Sequence, residues 1–314
     1  MVRYLIHFQY IGTKYCGVVR ACQQTKAKTG MVGVQDVIEN ALKKLNPYRP
    51  ATIYVSSRTD SGVHALCNTA HFDLVRPPHK HEAIKDESLL LGLNAFIGRN
   101  EPIRVTNVRR VPDNFHSQYQ AISRSYLYRI ATGCSYRTLP ITEKDRCWAV
   151  KHELNIAAMQ EATKIFLGTH DFSAFRSSSK ESIYKSPVKT IDSIDIAPSQ
   201  GFLCNHWSEE NAGNIELWEV VFRSRSFVYK QMRRMVSALV SVGKGCLSLE
   251  ELQEVLNSRD NTHPKTSPTA PPQGLFLREV LYNEQDLILS PDQPSLPPNH
   301  EENNRNCDDH QILT

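Results

Sequence analysis

The chain has 314 residues, 40% hydrophobic and 22% charged, with 37 Lys and Arg against 33 Asp and Glu for a formal net charge of +4. That length predicts a substantial core in two domains, and no apolar run approaches the roughly 18 residues of a membrane-spanning helix. The eight cysteines form no CxxC pair and no zinc-ligand spacing with histidine, which reads as reduced thiols of an intracellular protein and argues against a structural metal. Charge is uneven: residues 291–314 hold Asp292, Glu301, Glu302, Asp308 and Asp309 against Arg305, a net of −4, so the body stands at +8 (+4 less −4) and suits a polyanionic partner.

Taken in order, Tyr4, Ile6, Phe8 and Tyr10 alternate with Leu5, His7 and Gln9 as a strand. The pattern starts almost at once, so no transit peptide is expected before it. Residues 12–33 read as a loop, and Val34, Val37, Ile38, Ala41, Leu42 and Leu45 then recur at helical spacing until Asn46-Pro47. Strands are predicted over 52–56, near 67–74 and over 103–108, with a short helix from a Ser88 cap through Leu93. Pro112-Asp113-Asn114 marks the boundary between a domain of residues 1–112 and one of residues 113–290.

In the second half, residues 126–131 read as a strand and 154–167 as a helix closed by Gly168. Strands follow over 188–196 and 215–222, then a helix from near Phe227 to Gly243 whose stripe is Val228, Met232, Met235, Val236, Leu239 and Val240. Ser248 and Glu251 form a capping box for a helix through Leu256, residues 257–273 are loop, and 275–282 are the last strand. The Pro-, Asn- and acid-rich residues 291–314 are expected to be disordered. Short turns outnumber crossover helices, which predicts α+β with largely antiparallel sheets.

The chemistry concentrates in residues 57–65, Ser-Arg-Thr-Asp-Ser-Gly-Val-His-Ala. A strand breaks there into a polar turn with Asp60 beside Arg58, and Gly62 allows a tight bend. A carboxylate next to a guanidinium stays ionised and can serve as nucleophile or base. The commoner use of such an Asp is to close its own turn. Further on, Arg223, Arg225, Lys230, Arg233 and Arg234 cluster without an acid among them. They read either as a solvated basic face or as one arginine reaching a carboxylate while the others meet phosphates. Tyr126 and Tyr128, flanked by Arg124 and Arg129, could stack on unpaired bases, although core tyrosines are the commoner explanation. His64, His116 and His170 read as structural hydrogen-bonders, and no GxGxxG or Walker loop points to a nucleotide cofactor.

Together these segments resemble the TruA-type tRNA pseudouridine synthase family, most closely its animal branch. The resemblance runs in order through Tyr10-Ile11-Gly12-Thr13-Lys14-Tyr15, the 57–65 stretch, Pro112-Asp113-Asn114-Phe115-His116, Arg124-Ser125-Tyr126-Leu127-Tyr128, Asp171-Phe172-Ser173-Ala174-Phe175-Arg176 and Phe227-Val228 through Arg233. It departs at Val18-Val19 and at Ser117-Gln118, where a basic group is lost.

The resemblance implies two similar α/β domains whose sheets form a continuous floor, with the cleft between them and usually a homodimer. It implies Asp60 as catalytic nucleophile, Tyr126 packing on the target uracil, Arg233 pairing with Asp60, and Arg58 holding the flipped nucleotide. It further implies RNA as partner (tRNA, with messenger RNA left open), neither cofactor nor metal, no membrane, and a mitochondrial location. The rival readings are a non-catalytic RNA-binding or RNA-chaperone protein on the same scaffold and, more distantly, an Asp-dependent hydrolase.

Overall fold

The computed structural model describes residues 1–78, 82–177, 185–199, 215–263, 265 and 268–289; the tail expected to be disordered lies outside them. The strands are β1 (Val2–Tyr10), β2 (Tyr54–Val55), β3 (His64–Leu74), β4 (Ile103–Arg110), β5 (Ala121–Thr132), β6 (Trp148–Val150), β7 (Gly168–Asp171), β8 (Val188–Ile191), β9 (Ser193–Pro198), β10 (Glu216–Ser224) and β11 (Leu275–Tyr282). The helices are α1 (Gln23–Thr29), α2 (Val34–Lys44), α3 (Asp86–Ile97), α4 (Ile156–Thr163), α5 (Gln231–Gly243) and α6 (Leu249–Ser258). One sheet runs β4-β1-β3-β11-β5-β10-β9, with β2 on β3 and β6 on β5, and β7 pairs β8 in a separate ribbon. Among the described residues only β11 with β3 and β6 with β5 are parallel, so the α+β, largely antiparallel expectation holds.

Strands from before and after Pro112 meet at the β3–β11 seam, where His64 lies across from Phe276 and Ala65 from Leu277. β1 shows the period-2 logic: Tyr4, Ile6, Phe8 and Tyr10 are buried in the main core with Ile38, Leu42 and Leu93 of α2 and α3. Leu5 faces the opposite side and packs with Val111, Phe115 and Leu287. The core continues past the seam to Met235, Val236 and Leu239 of α5.

Four local differences from the sequence reading have physical causes. The strand over 52–56 shrinks to Tyr54–Val55, because Glu39 accepts the Ile53 N–H at 3.1 Å and Gln35 donates to the Ile53 carbonyl at 3.1 Å. Side chains of α2 thus take the backbone groups that a ladder would use. The loop over 12–33 contains α1, a helix with no buried residue and therefore no apolar period to detect. The strand over 188–196 breaks at Asp192, whose N–H turns to the Arg223 carbonyl at 2.8 Å. The helix from Phe227 starts four residues later. Ser224 Oγ accepts from the Ser226 N–H and donates to its carbonyl, Arg124 occupies the Arg225 carbonyl, and Lys230 is left-handed with φ 60°. Lys230 and Arg233 consequently do not share a helix face. The Ser248 capping box appears as predicted, with Glu251 accepting from Ser248 N–H at 2.9 Å.

His64 joins the two halves. Its Nδ1 accepts from Gly12 N–H at 2.9 Å, so the neutral tautomer protonated on Nε2 can donate to the Gln273 carbonyl at 3.1 Å. His71 is buried likewise and accepts from Ser117 N–H at 3.2 Å. Burial pushes both imidazoles from the ordinary 6.5 down to about 4. Between those values the unfolded chain binds protons that the native state refuses. The stability they contribute is therefore present above pH 6.5 and is lost as pH falls toward 4. The urea midpoint is expected to drop steadily from pH 7.5 to pH 4.5; a flat midpoint over that range would contradict the buried neutral histidines.

Candidate active site

Asp60 occupies the turn between β2 and β3. Gly62 takes φ 77°, the left-handed region foreseen for a tight bend, and Val63 N–H returns to the Asp60 carbonyl at 3.2 Å. The turn is fastened along its length. The Thr59 carbonyl accepts Val18 N–H at 3.2 Å, and its hydroxyl shares a 2.7 Å hydrogen bond with the buried Tyr10 hydroxyl. Ser61 donates to the Tyr15 carbonyl at 3.1 Å, and Asn68 donates to the Ser57 carbonyl at 3.0 Å. Gly17 lies directly against the turn with φ 121°, and a Cβ there would stand 2.8 Å from the Thr59 carbonyl oxygen.

Arg233, in the first turn of α5, reaches this turn from 173 positions away. Its Nη1 donates to Asp60 Oδ2 at 3.0 Å, and its Nε is committed to the Ala270 carbonyl at 2.8 Å, which fixes the fork. The Asp60 side chain keeps 19% of its surface and Arg233 keeps 11%, so the pair is largely desolvated but still reachable. Tyr126, on β5, is buried with its ring edge-on to Phe227 at 5.3 Å between centroids. Burial, helped by the nearby Asp60 charge, pushes its hydroxyl up to about 12 against the pull of Arg124 and Ser57. Arg58, two residues before Asp60, is exposed.

Asp60, Arg233 and Tyr126 are therefore brought together, with Arg58 on the same turn. Other sequence-based candidates separate. Tyr128 is a core residue whose hydroxyl donates to the Pro271 carbonyl at 2.8 Å, and Arg129 pairs with the fully buried Glu143 at 2.6 Å. No stacking surface is built from Tyr128 and Arg129, because each is committed to an internal partner. Arg234 is turned inward instead, donating to the Ala174 carbonyl at 2.9 Å. His170 bonds the Leu167 carbonyl at 2.7 Å, and His116 Nδ1 accepts Gln118 N–H at 3.2 Å, both structural as expected. Among the described residues no group of three or more His, Cys, Asp or Glu could hold a metal ion.

Sequence reasoning passed over Arg124 as a mere flanking charge. It is buried, and its Nε donates to Ser57 Oγ at 2.9 Å. The available signal was period 2: two residues before Tyr126, it shares that residue's side of the strand.

The Asp60 carboxylate thus stands on a fastened turn, faced by a committed arginine with a buried tyrosine nearby, an arrangement that can act on a bound ligand. Comparison with known proteins supplies the class. A model of the family described as tRNA pseudouridine synthase matches residues 6–120 and 162–283, which contain Arg58, Asp60 and Arg233, while Tyr126 falls between the two matched segments. The chain is 46% identical over 285 residues to tRNA pseudouridine synthase-like 1 of Xenopus laevis, covering 91% of this chain and 93% of that protein. Against the Homo sapiens protein of that name the identity is 42%, over 89% and 90% of the two chains. Against tRNA pseudouridine synthase A of Cereibacter sphaeroides it is 34%, over 90% and 98%. The chain belongs to the tRNA pseudouridine synthase family, of the TruA type and close to its animal members.

The fit of Gly17 against Thr59 carries its own prediction. Gly17→Ala meets both a left-handed φ and a backbone oxygen that cannot retreat without moving the turn. It is expected to lower unfolding free energy by about 1–3 kcal/mol, read from urea titrations. Unchanged stability would mean that the turn can shift freely.

Proposed function

We propose that the protein is an isomerase that converts particular uridines of tRNA, with messenger RNA as a further substrate class, to pseudouridine, with Asp60 as the nucleophile. The observation that carries this reading is the 3.0 Å contact between Asp60 and Arg233 beside Tyr126. Family membership supplies the reaction; this contact supplies a residue with the charge, exposure and support to perform it.

The reaction breaks the bond between uracil N1 and ribose C1′ and forms one between C5 and C1′, while the C5 proton is exchanged for one on N1. Atoms and electrons balance within the nucleoside, so the chemistry calls for no redox partner and no hydrolytic water. The uridine must first leave its stack, at a cost of a few kcal/mol that is least in loops. Phosphate contacts from the basic body, and Arg58 against the extruded nucleotide, would offset that cost. Asp60 then acts on the nucleoside as a carboxylate, its charge matched by Arg233 in the partly desolvated pocket. Tyr126 supports the detached ring so that it turns in place instead of escaping, which is a positioning role. A homodimer in mitochondria belongs to this reading through the family resemblance.

Asp60→Ala is expected to form no detectable pseudouridine in a transcribed tRNA while keeping RNA affinity within about threefold. Arg233→Ala is expected to lose roughly 10²–10³-fold in turnover, the scale set by removing one well-placed charged donor. Turnover is read by site-resolved pseudouridine mapping and affinity by filter binding at fixed salt. Product formed normally by Asp60→Ala would overturn the assignment, and a wild-type chain that binds RNA yet leaves every uridine unchanged would favour the RNA-chaperone reading.

A further inference from the structure

Arg124 is 9% exposed, yet none of its hydrogen-bond acceptors is charged. Nε donates to Ser57 Oγ at 2.9 Å, Nη2 to the Ser56 carbonyl at 3.1 Å and the Gln118 carbonyl at 2.9 Å, and Nη1 to the Arg225 carbonyl at 2.5 Å. Among the described residues no carboxylate pairs with it, and the nearby charge of Arg225 adds to burial in disfavouring its protonated form. A buried guanidinium ordinarily has a carboxylate partner, because leaving water without one costs stability. Its placement here therefore calls for a use that neutral side chains would not serve.

The segments it joins supply that use. Ser56 and Ser57 lead directly into the Asp60 turn. Arg225 stands just past the end of β10, in the stretch that leads into α5 and so into Arg233. Gln118 belongs to the 115–118 stretch, itself held by the Tyr282 hydroxyl donating to the Ser117 carbonyl at 2.7 Å. A planar fork with five donors can hold acceptors in three directions at once, whereas an ammonium on a flexible stem cannot.

We infer that Arg124 is a positioning residue: through Ser56, Ser57 and the Arg225 carbonyl it sets the Asp60 turn against the segment that delivers Arg233. The effect on catalysis rests on the isomerase reading above; the effect on the turn does not.

The test uses the full-length Arg124→Lys protein, which keeps the charge but loses the fork. With the fold intact by circular dichroism, amide hydrogen exchange of residues 56–61 is expected to speed up at least tenfold while α2 and α6 exchange as in wild type. The KM for a tRNA transcript stays within about twofold, and kcat falls ten- to a hundredfold. Ser57→Ala should reproduce part of the kcat loss. The double variant should be no slower than Arg124→Lys alone, because both changes cut the same link.

Wild-type exchange over 56–61 in folded Arg124→Lys would overturn the inference, as would losses that simply multiply in the double variant. Should Arg124→Lys fail to fold, Ser57→Ala decides alone: wild-type exchange and kcat in that variant would overturn it. Exchange is measured without RNA. A wild type that forms no pseudouridine would therefore sink the isomerase reading and leave the exchange result to decide the role of Arg124.

Discussion

The structure depends on holding Asp60 against Arg233, two groups 173 residues apart in the chain. On an open surface such a pair would contribute at most about 1 kcal/mol, and deep in a core its desolvation would outweigh its attraction. At the intermediate exposure found here its value is directional. One carboxylate oxygen is occupied by a guanidinium whose Nε is already committed to Ala270, so the carboxylate is aimed as well as charged.

The fold satisfies that constraint with a seam. β3 starts just past the Asp60 turn and runs parallel to the start of β11, and β11 lies beside the strand that carries Tyr126. Parallel neighbours cannot be joined by a tight turn, so this pairing can only come from segments far apart in the chain. His64 clamps the same line, with Gly12 on one ring nitrogen and Gln273 on the other. Around it, Tyr10, Thr59, Asn68, Ser57 and Arg124 form a connected polar network in which each hydrogen bond orients the next. The network holds the turn that bears the carboxylate, and Arg58 is exposed on that same turn.

Much of the framework was legible without coordinates, because amphipathic spacing and capping act over a few residues. The stripe of α2, the capping box of α6, the alternation of β1 and the last strand follow from local periodicity alone. The misreadings came where distant side chains took over backbone groups. Glu39 and Gln35 shortened the strand before the Asp60 turn, and Ser224 with Arg124 delayed the start of α5. The polar helix α1 was invisible because it buries nothing.

The same division holds for the site. The sequence by itself determined which residue types are present, the turn that bears Asp60 next to Arg58, and, through ordered motifs, the family. The resemblance singled out Arg233 among the five basic residues as the partner of Asp60; only the tertiary structure decided that Arg234 and Arg129 are spent on internal partners, and that Arg124 is a buried fork rather than a flanking charge. The reason is geometric. Residue type and local period fix what a side chain can do and which side of its element it takes, whereas its partner is chosen by strand pairings across hundreds of residues that leave no local trace.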